Sequence, residues 1–380
     1  MAAITQELDL KSAVEYHYGQ FPPATIDYGK LMQPLSSASA ALARYDQMLK
    51  NMHNSEILLA PLRRQEAVVS SRMEGTVSTL DEVLRYEADR EDDDDELINT
   101  RYRSEAIEVF LYHQAMRRTQ ASIQDGAPIS DFLIRSAHKF LLSFGRGTDT
   151  SPGEYKTEQN YLVDRNRKTV LFIPISPERL RDGMEMFHAF INDDSWESLT
   201  RIALAHVEFE ALHPFKDGNG RIGRMLITLM LWKQGVISAP HFYVSGYLEE
   251  RRDEYIDRMR EVSRSGAWTE WCIFFFQALE TQANKNAQVS EDIHRLYEEM
   301  KNVFREVLAS RWHTTALDFI FSQPVFRNNR FTGKSGVPRP TAARFTRALV
   351  ERGLLTTLEP ASGRRAALYA FEPLLTLVRG

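Results

Sequence analysis

Apolar residues recur at three- and four-residue steps along most of the chain, which is the spacing of one face of an α-helix. The pattern is clearest on both sides of residues 213–218. The apolar positions there are Leu199, Ile202, Ala205, Phe209 and Leu212 before this stretch and Ile222, Met225, Leu226 and Leu229 after it. The pattern predicts two core helices joined by a short loop.

The same spacing predicts further helices in the first part of the chain. They lie at residues 31–45, 58–69, 98–116 and 130–144. An acidic run at 91–96 precedes the third of them, and acidic side chains are favourable at a helix N-terminus or in a solvated loop. We therefore expect a mainly α-helical protein with an N-terminal helical region.

Strand character is confined to short segments. Residues 161–163 and 169–173 are rich in β-branched and aromatic side chains, and a polar stretch separates them. Pro174 and Pro177 end the second segment. These signals predict one small β-hairpin between Tyr161 and Ile173.

The pattern changes after residue 300. Helical segments at 314–321 and 340–353 are followed by strand-like segments at 354–358 and 366–370 around a glycine-containing turn. Helix, turn, helix and hairpin in this order resemble a winged helix. We therefore predict three domains, an N-terminal helical region at 1–95, a helical core with the hairpin at 96–300, and a winged helix at 301–380.

Composition agrees with this picture and excludes some classes of protein. The chain has 380 residues, of which 43% are hydrophobic, enough for sizeable cores in roughly two or three domains. A net charge of -5 argues against nucleic-acid binding by the molecule as a whole. Cys272 is the only cysteine, which excludes an intramolecular disulfide and a thiolate zinc cage, and its apolar neighbours predict a core thiol.

Targeting signals are not evident in the first residues. They contain neither a basic segment nor an apolar one, and no apolar run approaches the length that crosses a membrane. We therefore expect a cytoplasmic protein with no membrane partner.

The loop between the two predicted core helices concentrates residues that suit phosphate chemistry. A glycine-rich turn at 218–220 tolerates positive φ, so that successive backbone N–H groups converge at the start of the second helix and form an anion site. Arg221 and Arg224 lie three residues apart and project from one face beside that turn.

Two further side chains complete this group. Asp217 is placed to hold Mg²⁺ together with phosphate oxygens. His213 is able to take a proton near neutral pH. The combination predicts phosphoryl or nucleotidyl transfer.

The stretch His213-Pro-Phe-Lys-Asp-Gly-Asn-Gly-Arg-Ile-Gly-Arg224 resembles the Fic family signature, H-x-F-x-[D/E]-G-N-G-R-x-x-R, and fills every defined position. The preceding residues 206–210 are similar to the run that leads into this signature. The resemblance implies a Fic helical core in which the hairpin is a flap. In the family, such a flap lies over the catalytic loop and registers an extended segment of a target protein by strand addition.

The resemblance also implies an activity. His213 would be the base toward a target hydroxyl, which attacks the α-phosphate of ATP and leaves AMP on the target protein. The implied ATP-binding residues are Asp217, which also holds Mg²⁺, Gly218, Asn219, Gly220, Arg221, Gly223 and Arg224. Tyr255 and Ser263 have the spacing of the family residues that border the adenine.

An inhibitory motif lies further upstream. Ser70, Glu74 and Gly75 match the pattern [S/T]-x-x-x-E-[G/N] of Fic proteins that restrain themselves. A phosphate-clamping arginine without its anion is a strong partner for a carboxylate. We therefore expect Glu74 to pair with Arg224 at the ATP site and to exclude a γ-phosphate.

Other functions remain open at this point. One alternative on the same fold is the removal of AMP from a modified protein, with Glu74 activating water. Another is the transfer of a different phosphate-containing group. A metal hydrolase or di-iron carboxylate protein is a lesser alternative, suggested by Glu-x-x-His pairs on probable helices. Those pairs are Glu185/His188, Glu210/His213 and Glu291/His294.

A regulator that is not an enzyme is a further alternative. In it, a winged helix would bind DNA and the Fic core would serve as a sensor, although neither His213 nor Asp217 has been lost. The predicted basic face consists of Arg339, Arg344, Arg347, Arg364 and Arg365. Winged helices also serve as docking or dimerisation modules, so DNA and a second copy of the chain are both candidate partners.

Overall fold

The computed structural model describes residues 10–52, 54–90, 101–164 and 169–379. Within these ranges the protein is mainly α-helical, as predicted. The acidic run at 91–96, and Ile98 at the start of a predicted helix, lie outside the described residues, as do residues 165–168 of the predicted hairpin turn.

Helices make up most of the described residues. In chain order they are Tyr28–Asn51, Ser55–Leu58, Ala60–Met73, Leu80–Arg90, Ser104–Gln124, Asp131–Leu141, Pro177–Ile191, Ser198–Leu212, Asn219–Lys233, Ser245–Glu250, Arg252–Ser265, Trp268–Leu308, His313–Ser322, Asn328–Lys334, Arg339–Glu351 and Glu372–Arg379. The single helix predicted at 58–69 is in fact two. Pro61, at the beginning of the second one, starts a helix readily because it has no N–H to donate.

By internal packing the chain divides into two compact units. Unit 1 comprises residues 1–43 and 114–282, and unit 2 comprises residues 44–113 and 283–380. The three contiguous domains expected from the sequence stay a prediction.

The core of unit 1 is built around the two helices that the apolar pattern predicts. Ser198–Leu212 and Asn219–Lys233 pack against each other, and nearly all of their residues are buried. Helix Pro177–Ile191 packs on the first of them. A Cβ at Gly183 would lie 2.6 Å from a methyl of Leu212, so glycine allows these two helices their close approach.

Unit 1 also contains a small sheet, whose strands are β1 (Val14–Glu15), β2 (Leu162–Asp164) and β3 (Thr169–Ile173). β2 and β3 form the predicted antiparallel hairpin. The expectation of a lone hairpin was wrong, because β1 pairs in parallel with β3 and makes β3 the central strand. A two-residue strand is too short to show an alternating pattern in the sequence.

The segment that follows β1 is anchored by a buried polar cluster. Tyr16 donates its hydroxyl hydrogen to Oε1 of Glu208 at 2.7 Å, and His17 Nε2 lies 2.8 Å from Oε2. His17 Nδ1 lies 2.7 Å from the Ser263 hydroxyl. Burial and the Glu208 carboxylate raise the pKa of Tyr16 well above its usual range, so the tyrosine remains a hydrogen-bond donor. Both oxygens of the Glu208 carboxylate are therefore satisfied.

Unit 2 has a sheet of its own, formed by β4 (Val325–Arg327), β5 (Thr356–Glu359) and β6 (Leu368–Ala370) in the order β4-β6-β5. Helices His313–Ser322, Asn328–Lys334 and Arg339–Glu351 precede the β5–β6 hairpin. The predicted elements are all found, and β4 and the short helix after it are additional.

The helices of the predicted N-terminal region pack on these C-terminal elements. Helix Leu80–Arg90 packs against β4, and helix Ala60–Met73 packs against His313–Ser322 and Glu372–Arg379. Residues far apart in sequence therefore share the core of unit 2.

Two ion-pair clusters hold this packing in place. Asp89 accepts from Arg327 Nε at 2.6 Å and from the Tyr102 hydroxyl at 2.7 Å, and it is also in contact with Arg365. Arg327 reaches Glu359 as well, at 2.6 Å. These groups join helix Leu80–Arg90 to strands β4 and β5.

The second cluster is centred on Arg64. Its guanidinium donates to both oxygens of Glu87, at 2.6 and 2.9 Å, and to the Ser322 carbonyl at 3.1 Å. Burial alone would raise the pKa of Glu87, but Arg64 lowers it to about 2. Glu87 is therefore ionised and dependent on its partner.

Candidate functional site

The motif at residues 213–224 contains a tight loop whose two ends have left-handed backbone conformations. Helix Ser198–Leu212 ends at His213, which has φ 46° and ψ 60°. Gly218, with φ 80°, precedes helix Asn219–Lys233. The sequence predicts positive φ across residues 218–220, but Asn219 and Gly220 are the first residues of that helix.

Asn219 shapes the loop with both of its polar groups. Its Oδ1 accepts from the Phe215 N–H at 2.8 Å, and its Nδ2 donates to the Phe215 carbonyl at 2.8 Å. The side chain is buried. Asn219 thereby closes the turn between the two helices.

Arg221 lies buried at the beginning of the second helix. Its side chain is only 1% exposed, and its Nη2 lies 3.8 Å from Oδ1 of Asp217. Nε and Nη1 have no hydrogen-bond partner among the described residues. Buried N–H groups of a charged side chain that lack acceptors are costly, and the guanidinium geometry suits a phosphate. The site is therefore able to receive an anion.

Asp217 stands at the open side of this site. Its side chain is 40% exposed, and its Oδ1 accepts from the Gly218 N–H at 2.6 Å. An accessible carboxylate beside an anion site has the chemistry that suits Mg²⁺ shared with phosphate oxygens. Across the described residues, no cluster of three or more His, Cys, Asp or Glu side chains is placed to hold a metal ion.

Arg224 and Gly223 lie one turn further along the helix. Arg224 is buried. A Cβ at Gly223 would lie 2.3 Å from Oε1 of Glu210, so a larger residue there would displace the Glu210 carboxylate.

His138 supports the loop and was missed by the sequence analysis. Its Nδ1 accepts from the Gly153 N–H at 2.8 Å, so its Nε2 carries the proton and donates to the Asp217 carbonyl at 2.9 Å. Its ring stacks on Phe215 with centroids 3.7 Å apart. Burial lowers its pKa to about 4, and the ring is therefore neutral near pH 7. In the sequence it resembles an ordinary position on an amphipathic helix.

A second support was also missed. Lys156 and Asn160, between helix Asp131–Leu141 and β2, donate hydrogen bonds to the carbonyls of residues 212–215. Lys156 is almost fully buried, and burial lowers its pKa to about 7. In the sequence both residues are typical of an exposed loop.

The residues predicted to border the adenine both have partners within the protein. Tyr255 and Ser263 lie on helix Arg252–Ser265. Tyr255 is buried, and its hydroxyl lies 2.8 Å from Nε2 of His206. Ser263 contacts His17 as described above. Their role toward a nucleotide stays a prediction.

The predicted inhibitory motif is at the end of helix Ala60–Met73 in unit 2. Ser70 is buried on that helix, Glu74 is its C-cap, and Gly75 follows with φ 81°. Gly75 donates to the Arg72 carbonyl at 2.9 Å, as a left-handed glycine after a helix commonly does. The pairing of Glu74 with Arg224 stays a prediction.

Further predictions concern the rest of the chain. Cys272 is buried, and burial raises its pKa, which confirms a core thiol. No helix of the described ranges has both the length and the apolar character needed to cross a bilayer. The cytoplasmic location and the homodimer stay predictions.

Comparison with known proteins agrees with the fold and the loop. The Fic/DOC family N-terminal model matches residues 32–121, and the Fic/DOC family model matches residues 128–231. The second match contains the whole loop. The chain belongs to the Fic/DOC family.

Individual relatives match over shorter stretches. Protein adenylyltransferase fic-1 of Caenorhabditis elegans is 32% identical over 114 residues, which are 29% of this chain and 20% of the relative. Uridine 5'-monophosphate transferase of Xanthomonas campestris pv. campestris (strain 8004) is 30% identical over 136 residues, 33% of this chain and 25% of the relative. The chain thus matches a quarter or less of the length of these relatives.

A solved structure is similar over nearly the whole chain. It is a Fic family protein from Desulfovibrio desulfuricans G20, with a TM-score of 0.56 and 20% sequence identity. The similarity covers 92% of this chain and 98% of that one. It supports the fold described above.

Proposed function

We propose that this protein transfers AMP from ATP to a hydroxyl side chain of a target protein. The observation that carries the proposal is the buried Arg221, whose Nε and Nη1 have no acceptor among the described residues, at the start of a helix beside Asp217. A helix N-terminus and a guanidinium together favour a phosphate chain. The adenylyltransferase name of the nematode relative supports the same activity.

The proposed reaction is a single displacement at phosphorus. His213 takes the proton from the target hydroxyl, and the hydroxyl oxygen forms a bond to the α-phosphorus of ATP. The bond between that phosphorus and the oxygen leading to the β-phosphate breaks, and pyrophosphate leaves. The product is an AMP ester on the target protein. Arg221 and Arg224 stabilise the phosphate charge during this step.

Mg²⁺ would be held by Asp217 together with phosphate oxygens. When bound, the ion supplies positive charge that neutralises the phosphates and helps pyrophosphate to leave. The exposed carboxylate of Asp217 is suited to this, since it points to the open side of the site and receives one hydrogen bond.

A target segment would dock on the flap by adding a strand. Because β1 occupies one side of β3, the added strand would run along β2, at Leu162–Asp164. Val163 on that strand is exposed. The backbone of the target would supply hydrogen bonds, and its side chains would set the register.

Glu74 would act as the restraint. Its carboxylate would pair with Arg224 and keep a γ-phosphate away, so that ATP binds without reacting. AMP removal is a further candidate for the same residue, with Glu74 activating water.

The proposal is tested with the Glu74→Gly protein, incubated with ATP and Mg²⁺ and analysed by mass spectrometry. We expect peptides of the protein itself to gain one AMP, and the parent protein to gain much less. A parallel incubation with UTP tests UMP transfer, which the bacterial relative's name suggests. A folded Glu74→Gly protein that labels with neither nucleotide would show the proposal to be wrong.

DNA binding by the C-terminal part is a second candidate function. Arg339, Arg344 and Arg347 are exposed on helix Arg339–Glu351, and their charges suit phosphates. Arg365, by contrast, is committed to Asp89 and Glu359. Fluorescence anisotropy with duplex DNA at increasing salt tests the idea, because phosphate contacts require a steep loss of affinity. An affinity that is unchanged in Arg347→Ala, or that does not respond to salt, would contradict it.

A further inference from the structure

We propose that Lys156 and Asn160 are positioning residues, which hold His213 in the conformation from which it takes the proton. The proposal rests on the proposed transfer of AMP, because it concerns how well His213 is placed for that step. Neither residue belongs to the signature motif, and the geometry of their hydrogen bonds carries the argument.

The carbonyls at the end of a helix lack partners within the helix and must find them elsewhere. At the end of helix Ser198–Leu212, one short segment supplies donors to the carbonyl of Leu212 and to those of the next three residues, 213–215. Lys156 Nζ donates to the Leu212 carbonyl at 3.1 Å, and the Lys156 N–H donates to the Pro214 carbonyl at 2.8 Å. Asn160 Nδ2 donates to the carbonyls of His213, at 3.2 Å, and Phe215, at 3.1 Å.

This set of bonds has a specific consequence for His213. A left-handed backbone is unfavourable for a residue with a Cβ, by about 1 kcal/mol, and persists when the surroundings hold it in place. His213 has that backbone, with φ 46°. Three of the four bonded carbonyls belong to His213 and its immediate neighbours. The direction of the imidazole therefore depends on this segment.

Lys156 and Asn160 act together. Lys156 Nζ also donates to Oδ1 of Asn160, at 2.8 Å. That bond fixes which end of the amide faces the loop, so that Nδ2 is turned toward the two carbonyls. Without Lys156 the amide would be free to rotate, and both bonds to the loop would weaken.

The same segment leads directly into the flap. Strand β2 begins at Leu162, two residues after Asn160. The chain that would receive the target is thus continuous with the chain that holds His213. We infer that the target hydroxyl and the base are positioned by one rigid connection.

The decisive variant is Asn160→Asp, prepared in the Glu74→Gly background. It is nearly isosteric and keeps an acceptor for Lys156, but it has no hydrogen to donate to the two carbonyls. We expect kcat for self-labelling to fall by about tenfold to a hundredfold, the scale of a misplaced catalytic group. The KM for ATP and the melting temperature should change little, because the arginines and the core are untouched.

A matched control is Asn192→Asp. Asn192 also donates its Nδ2 to a helix carbonyl, that of His188 at 2.7 Å, but it is exposed and lies at the end of helix Pro177–Ile191. This variant should label like its parent. A selective loss of kcat in Asn160→Asp would support positioning, whereas a parallel fall in melting temperature and ATP binding would contradict it.

Lys156 provides an independent test. Lys156→Met should lower kcat as Asn160→Asp does, and Lys156→Arg, which keeps N–H donors, should restore part of it. The double variant Lys156→Met/Asn160→Asp should be no worse than the poorer single one, because the two residues act as a unit. Full activity in both single variants would overturn the inference. A parent that labels nothing would instead count against the proposed function.

Discussion

Arg221 is a buried guanidinium whose Nε and Nη1 lack hydrogen-bond acceptors among the described residues. At 1% exposure it has lost its hydration, and the Asp217 oxygen 3.8 Å away is too distant for a hydrogen bond. Part of the binding free energy of a phosphate would come from relieving this unfavourable state. If Arg221 binds phosphate, it does so at the expense of the stability of the protein without ligand.

Replacing Arg221 should change phosphate affinity and protein stability in opposite directions, and this can be tested. Arg221→Met removes a buried charge that lacks acceptors and leaves an apolar chain of similar length, so the melting temperature should stay the same or rise. ATP affinity, measured by calorimetry, should fall at least about tenfold. Lys233→Met, at the exposed end of the same helix, is the control and should alter neither quantity. A clear loss of stability in Arg221→Met would show that the guanidinium is structural.

His213→Ala separates chemistry from binding. The side chain is assigned a proton transfer and no contact with phosphate, so self-labelling of the Glu74→Gly protein should fall by at least about a hundredfold. ATP binding should be retained in calorimetry. Unchanged labelling would exclude His213 as the base.

His138 predicts how stability depends on pH. Its pKa is lowered by burial to about 4 from the ordinary 6.5, so the folded protein resists protonation while the unfolded chain accepts it. Stability should consequently fall as the pH drops from 6.5 toward 4. His138→Gln keeps an acceptor and a donor but does not titrate, so its melting temperature should decline less over that range. Parallel curves for the two proteins would contradict the assignment.

Some residues of the candidate site could be predicted from the sequence and others could not. Asp217, Gly218 and Arg221 were predicted because their types and spacing carry the chemistry locally. His138, Lys156 and the left-handed backbone of His213 were not, because each depends on partners distant in the chain. A buried lysine or histidine can hold the loop through hydrogen bonds, but the local sequence pattern does not indicate that it is buried.

At the scale of elements, the apolar periodicity was the strongest guide. Helices Ser198–Leu212 and Asn219–Lys233 were predicted, together with the loop between them, because their apolar faces are long and regular. Strand β1 was missed, and with it the fact that β3 is a central strand. Two residues form a strand there only because the edge of β3 is available to pair with them.

The attachment of β1 to the core can be measured. Tyr16→Phe removes one of the donors to the buried Glu208 carboxylate, which should cost about 1–3 kcal/mol. For a unit of this size that corresponds to a melting temperature lower by roughly 2–12 °C. Tyr18→Phe is the control, since the exposed Tyr18 hydroxyl only accepts a bond from the Ser176 N–H. Equal effects of the two variants would show that the Glu208 cluster adds nothing.

At the scale of the whole molecule, the helix that ends at Glu74 and the C-terminal elements share one compact unit. Helix Ala60–Met73 ends at Glu74 and packs in unit 2 on two helices from the last seventy residues of the sequence. Sequence periodicity identified both parts but did not indicate that they share a core. Packing between distant segments is decided by shape and charge, which a linear pattern does not contain.

Arg64 offers a way to loosen that helix without touching Glu74. Arg64→Met would leave the partly buried Glu87 carboxylate without its main partner, at a cost of about 2–4 kcal/mol. If Glu74 restrains the enzyme, self-labelling should rise although Glu74 is intact. The control is Arg63→Met on the same helix, whose partner Glu56 is exposed, and it should change labelling little. A destabilised Arg64→Met protein with unchanged labelling would separate the helix from the restraint.

Unit 2 is formed by two separate segments of the chain, and this decides which parts of the protein can be exchanged with those of another. A chimera that takes residues 1–95 as a cassette would carry Glu74 on a helix whose packing partners stay behind in the donor. Arg64 would lose the Ser322 carbonyl, and Asp89 would lose Arg327 and Arg365. To move the helix that carries Glu74 together with its packing partners, both stretches of unit 2, 44–113 and 283–380, would have to be transferred. In recombination, substitutions in either stretch would be tolerated only alongside their counterparts in the other.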